Sequence, residues 1–111
     1  MKAYSRELLK GTADTLVLST FVQGEMYGYQ VVKEIERRSD GFFQLKEGTL
    51  YPILHRLEGQ GLLQARWETT PNGLERRYYA LTDAGREALR DRLSEWAGFA
   101  KAVGRVTAGL A

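Results

Sequence analysis

The chain has no cysteine, one histidine, two prolines and no long uninterrupted apolar run. Each scarcity removes a class of protein. Without thiols there are no disulfides, no thiolate zinc sites and no cysteine nucleophile, and a lone imidazole does not build a His-rich metal site. No metal and no cofactor are therefore expected. No stretch of about 18 apolar residues is present, so nothing is expected to span a membrane. The N-terminal MKAYSRELLKG lacks the apolar run of a secretory signal, which makes the cytoplasm the expected location. GxxxxGK[ST], HExxH and GxSxG are all missing. The only histidine, His55, has no acid or base turned toward it on a helical reading, with Glu47 and Glu58 directed elsewhere. Catalysis needs such a pair in a pocket, so no enzyme is expected.

What remains is an ordinary globular composition, 111 residues with 43% hydrophobic and 27% charged, enough for one core. The formal charge of +2 tilts only weakly toward an anionic partner. Between residues 46 and 82 the cations Lys46, Arg56, Arg66, Arg76 and Arg77 nearly balance Glu47, Glu58, Glu68 and Glu75. Any argument for nucleic acid must therefore rest on where the cations stand, not on their sum.

Residues 5–22 place Leu9, Ala13, Leu16, Val17 and Thr20 on one side, with Leu18 and Phe21 nearby, and predict a largely buried helix ending at Gln23-Gly24. YGYQVVKEIERRSDG predicts a second, amphipathic helix with Tyr29, Val32 and Ile35 inward and Lys33, Glu34, Arg37 and Arg38 outward, closed by Ser39-Asp40-Gly41. In the third, from about Glu47 to Gln60, Leu50, Ile53, Leu54 and Leu57 form the apolar stripe. Pro52 is read as marking its first turn, where a missing N–H costs little, and Gly59 and Gly61 as supplying the left-handed stop. LLQARWETTPNGLERRYYALT then alternates in character around Pro71-Asn72-Gly73, a β-hairpin with Leu63, Ala65 and Trp67 sharing a face on its first strand and Tyr79 and Leu81 on its second. Thr82 is the expected N-cap of a long last helix. There Leu89, Leu93, Trp96, Ala100 and Val103 recur at 4, 3, 4, 3, with Phe99, Val106 and Leu110 widening the stripe. That 3.5-residue repeat is a helix-packing seam, and a second copy of the chain is its expected cover. Gly98, Gly104 and Gly109 are expected to fray the end.

Three helices followed by a hairpin is the order of a winged helix-turn-helix, whose third helix enters the DNA major groove while the hairpin, the wing, lies along the backbone or minor groove. The fold expected is mainly α with a small β-hairpin: a DNA-binding domain over 1–82 and a C-terminal dimerisation helix over 83–111. Gly48, Thr49, Tyr51, Pro52, His55 and Arg56 occupy the outward face of the third helix. Small residues let backbone approach, hydroxyls reach phosphate, and Arg56 or His55 reaches phosphate or a base edge. Double-stranded DNA is thus the expected partner, with a dimeric protein-interaction module lacking DNA contacts as the alternative.

Leu9-Lys10-Gly11, YGY at 27–29, GTLYPILHRLEGQGLL at 48–63 and RRYYALTDAGREAL at 76–89 resemble the PadR family of bacterial transcriptional regulators in its short form with one C-terminal helix. The resemblance spans about residues 9–97. It implies homodimers on inverted-repeat operators, usually repressors relieved by small molecules. On that reading Pro71 to Arg77, with Asn72 at the tip, is the wing. Arg76 and Arg77 alternate across the sheet, so one faces DNA and the other pairs with Glu68 or Glu75; of Tyr78 and Tyr79 one is core. Tyr27 at the opening of the second helix is a further candidate phosphate contact, and Lys2, Arg6 and Lys10 are candidates along the DNA flank. The resemblance also implies that Trp96, with Phe99 and Val103, holds a flat aromatic effector at the dimer seam; plain interface packing is the other reading of Trp96.

Overall fold

The computed structural model describes residues 12–109. Helix α1 (Ala13–Thr20) runs into a short 3₁₀ turn over Phe21–Gln23; strand β1 (Met26–Tyr27) leads into α2 (Gly28–Arg38); α3 (Glu47–Gly59), β2 (Leu63–Thr69), β3 (Glu75–Leu81) and α4 (Asp83–Thr107) complete the chain. The strands form an antiparallel sheet in the order β1-β3-β2. The hairpin is as expected, but β1 adds a third strand through Met26 opposite Tyr79 and Tyr27 opposite Tyr78. Two residues carry no readable alternation, which is why local pattern does not reveal it.

The core is the common inner side of all these elements: Val17, Leu18, Phe21, Val31, Ile35, Leu45, Leu50, Ile53, Leu54, Leu57, Leu63, Tyr79 and Leu89. In α2 the buried stripe is Gly28, Val31 and Ile35. Tyr29, expected inward, is half exposed under Lys33, whose ammonium lies 5.4 Å from the ring centroid. Gly28 takes the inward place instead, with the Tyr51 ring lying where a Cβ would stand. Its start is held by Gln30, whose Oε1 accepts the Tyr27 backbone N–H at 3.1 Å. Near its other end Glu34 accepts from both Arg37 and Arg38. These bonds, from Arg37 first and Arg38 second, hold the Glu34 carboxyl down at about 2 against an ordinary 4.5. A depressed carboxylate stabilises the fold above its unfolded value and loses that contribution as it protonates. Titration of the Glu34 carboxyl by NMR is therefore expected to leave it ionised at pH 4.5, with the end of α2 loosening only as pH falls from there toward 2.

Helix α3 ends differently from expectation. Gly61 alone adopts the left-handed conformation, φ +77°, while Gly59 is ordinary helix. Leu62 N–H donates to the Leu57 carbonyl at 3.0 Å and Gly61 N–H to Glu58 at 2.9 Å, the double closure of a Schellman stop. Pro52 is also a correction. The ladder already begins with Leu50 N–H on the Lys46 carbonyl, so Pro52 stands beyond the first turn and removes the bond the Gly48 carbonyl would have received.

Thr82 caps α4 as expected, accepting from Gly85 N–H at 2.9 Å, and its hydroxyl donates to the Gly61 carbonyl at 2.7 Å. The start of α4 is thereby stitched to the end of α3. Gly98 and Gly104 do not fray it: the helix is continuous to Thr107, about 37 Å at 1.5 Å per residue. Its early turns belong to the core through Gly85 and Leu89. Leu89, expected on a seam between copies, is inside its own protomer. From Leu93 onward the large apolar residues are exposed: Leu93 45%, Trp96 50%, Phe99 60% and Val103 43%. Leu9, Lys2, Arg6, Lys10, Gly11 and Leu110 lie outside the described residues.

Candidate nucleic-acid interface

The outward arc of α3 is as the spacing predicts, with Gly48, Thr49, Tyr51, Pro52, His55 and Arg56 all exposed while Leu50, Ile53, Leu54 and Leu57 are buried behind them. Tyr51 leans back over the start of α2. A Cβ on Gly28 would stand 2.8 Å from the Tyr51 hydroxyl, so glycine there is what allows the ring to lie flat. Partial burial, and secondarily the Glu47 charge, push the Tyr51 phenol above its usual value. Tyr51 thus keeps its proton and remains a hydrogen-bond donor. Gly28→Ala is expected to swing the Tyr51 ring outward at a cost of about 1 kcal/mol, because only the far end of one side chain must move. Tyr51 ring resonances should shift and the melting midpoint should fall by about 5 °C.

Between α3 and the hairpin lies a groove of about 470 Å³ lined by Tyr27, Gly28, Tyr51, His55, Glu58, Trp67, Glu75, Arg76, Arg77 and Tyr79. Strand register decides which of Tyr78 and Tyr79 belongs to the core. Trp67 stands opposite Arg77 and Ala65 opposite Tyr79, placing all of them on the α3 side of the sheet. Tyr79 is the core residue; Tyr78, on the other face, meets Tyr27 edge-on at 5.4 Å. Arg77 donates to Glu58 at 2.9 Å and lies 5.1 Å over Trp67. Its partner is therefore neither Glu68 nor Glu75 but a carboxylate of α3. Arg76 rests over the Tyr27 ring at 4.4 Å and makes no ion pair among the described residues. Asn72 sits at the exposed hairpin tip, where Gly73 (φ +80°) turns the chain and the Thr70 hydroxyl faces Asn72 Oδ1 at 3.4 Å.

Two other arginines near the interface are occupied. Arg56 pairs with Asp14 of α1, and Arg66 with Glu25 and, at 3.4 Å, Glu68. The Arg66 hydrogen bond depresses the Glu25 carboxyl, and the same bond raises the Arg66 guanidinium. Asp14, Glu25, Glu58 and Trp67 were not legible as site residues. Arg56 and Asp14 are 42 positions apart and Arg77 and Glu58 are 19 apart, separations at which no local period operates. On α4, Trp96 and Phe99 stack at 5.7 Å with an interplanar angle of 28°, and Ala100 and Val103 are exposed beside them. Among the described residues no cluster of acidic or histidine side chains is placed to hold a metal, and no helix is long and apolar enough to cross a membrane.

Three helices, a hairpin wing packed on the third helix and a projecting fourth helix define a winged-helix protein. The profile of the transcriptional regulator PadR-like family matches residues 17–91, and the chain belongs to that family. It is 35% identical over 86 residues to transcriptional regulator Rv3488 of Mycobacterium tuberculosis, covering 78% of this chain and 77% of that one. A transcriptional regulator from Clostridium thermocellum superposes with a TM-score of 0.84 at 29% identity, covering 91% of this chain and 98% of that one. Bacillus subtilis PadR, solved in complex with operator DNA, superposes with a TM-score of 0.68 at 28% identity over 73% of this chain; this chain spans 46% of that one. The protein is thus a transcriptional regulator of PadR type.

Proposed function

We propose that the protein is a homodimeric, sequence-specific DNA-binding repressor that places one α3 in each half of an inverted-repeat operator and is relieved by a small aromatic effector at the seam between the two α4 helices. The observation that carries this reading is the outward arc of α3: small, hydroxylated and uncovered, on a helix whose opposite side is wholly buried, with the cation Arg76 lining the same groove as Tyr51 and His55. Tyr27, Thr49, Tyr51 and Asn72 supply neutral donors to backbone, and His55 with Arg56 stands where base edges or phosphates pass. The projecting apolar stripe of α4 supports pairing with a second copy. Two-fold symmetry then separates half-site centres by about 34 Å or a multiple. An effector between Trp96, Phe99 and Val103 of the two copies would act by favouring a helix angle that separates the α3 pair wrongly, to the extent that it binds that state better.

One observation favours the alternative, a protein-interaction module: Arg56, Arg66 and Arg77 are already neutralised by carboxylates. Footprinting on the region upstream of its own gene, with a salt titration, decides between them. If each protomer neutralises about three or four phosphates, log affinity falls with log salt at a slope of roughly −5 to −7. The double charge reversal R56E, R76E should remove binding. A protected site that ignores both salt and the reversal rejects the repressor reading.

A further inference from the structure

Asp14 is shared. One carboxylate oxygen accepts from the Arg56 guanidinium of α3, and the other stands 3.8 Å from Nη1 of Arg92 on α4. That Nη1 is buried and has no hydrogen-bond partner. A buried guanidinium N–H without an acceptor is costly, and the nearest carboxylate is held just out of reach by its stronger bond to Arg56. The three residues join the candidate reading helix, the first described helix and the first turns of the projecting helix.

Resting on the repressor reading above, we propose that Arg92 is a positioning residue for operator recognition: Asp14 neutralises Arg56 at the flank of α3 in the free protein and passes to Arg92 when Arg56 moves onto a phosphate. The exchange is cheap because the pair it breaks is half exposed on the Arg56 side. It is also needed. Without Arg92, Arg56 could leave only by stranding a part-buried carboxylate close to a phosphate, an uncompensated charge beside a like one. The hand-over draws Arg92, and with it α4, toward α1 whenever DNA is bound. By linkage, an effector that repositions α4 near Arg92 then changes the grip of Arg56. Trp96 is one helical turn from Arg92 on the same rod.

The test uses the intact protein and a duplex enriched from a random-sequence pool on the wild-type chain. R92Q should weaken binding about fivefold, the scale of one partly exposed charge interaction, and R92K should restore most of it. In an Asp14→Asn background, itself expected to bind more tightly and with a steeper salt slope, R92Q should change nothing. An R92Q penalty of equal size in both backgrounds, or none in either, overturns the hand-over. Arginine side-chain NMR of the unmutated protein provides a reading that no folding defect disturbs. On adding the duplex, the Arg56 and Arg92 signals should shift together, Arg56 leaving its carboxylate and Arg92 gaining one. An Arg92 signal that stays still while Arg56 responds sinks the hand-over and leaves the repressor reading standing. If no duplex enriches at all, both fall.

Discussion

Gly85→Ala is expected to lower the melting midpoint by on the order of 15 °C. A Cβ at residue 85 would lie 2.1 Å from the Leu62 carbonyl oxygen and 2.8 Å from a Leu81 methyl. The first of these neighbours is backbone and cannot rotate away. That same carbonyl accepts the Thr82 N–H at 3.1 Å, and Thr82 Oγ1 donates to Gly61 at 2.7 Å. Relief therefore requires prying the start of α4 from the end of α3 and losing both bonds, each contributing about 1 kcal/mol net, in addition to about 1–3 kcal/mol of overpacking. Alanine returns only about 1 kcal/mol in helix propensity. The balance, a loss of about 3 kcal/mol, corresponds to the stated shift for a chain of this size. Gly98→Ala in the same helix is the internal control. Gly98 has nothing within 4 Å of a would-be Cβ and lies across the helix from Trp96. There alanine should raise the midpoint by a few degrees, since only the propensity gain remains. Thermal unfolding followed by circular dichroism reads both; equal signs for the two substitutions would refute the packing assigned to Gly85.

Trp96→Asp is expected to convert the protein to monomers at micromolar concentration and to weaken operator binding by at least about 100-fold, because one half-site contact forfeits the effective concentration supplied by the other. Trp96 is half exposed and touches Phe99 rather than the core, so the substitution should leave the winged-helix fold intact. The buried carboxylate acts at the proposed seam, where charge without a partner costs several kcal/mol. Sedimentation and binding titration on one sample test this. A variant that remains dimeric, or one that turns monomeric yet binds operator as before, would refute the seam or the need for it. Leu93→Asp should behave alike, whereas Leu89→Asp should unfold the protomer, since Leu89 is 5% exposed inside the core.

That contrast between Leu89 and Leu93 shows where periodicity stops informing. Both positions obey the same 3.5-residue repeat, and a repeat states only that a side is apolar, not whether the cover is the same chain or another. The rotation of α2 is a similar case. Tyr29 and Val31 are both apolar enough to face inward, and the inward side fell to Gly28, Val31 and Ile35, with the Tyr51 ring lying where a Cβ on residue 28 would stand. Pro52 and Gly59 show the limit of residue-type rules: each is a residue common at helix ends, and each sits inside the helix here because the true ends are made by Lys46 and Gly61.

The order of the helices and the hairpin, the buried stripe of α3, the outward arc of Gly48, Thr49, Tyr51, Pro52, His55 and Arg56, and the Thr82 cap were determined by the sequence alone. All of these depend on spacings of a few residues, over which backbone geometry imposes a strict period. The three-dimensional fold decided which arginines are free. Arg76 was left on Tyr27 while Arg56, Arg66 and Arg77 were given to Asp14, Glu25 and Glu58, partners brought within reach only by folding. Ion pairs between distant segments follow from how helices and sheet pack, and packing is a property of the assembled core that no short window of residues contains.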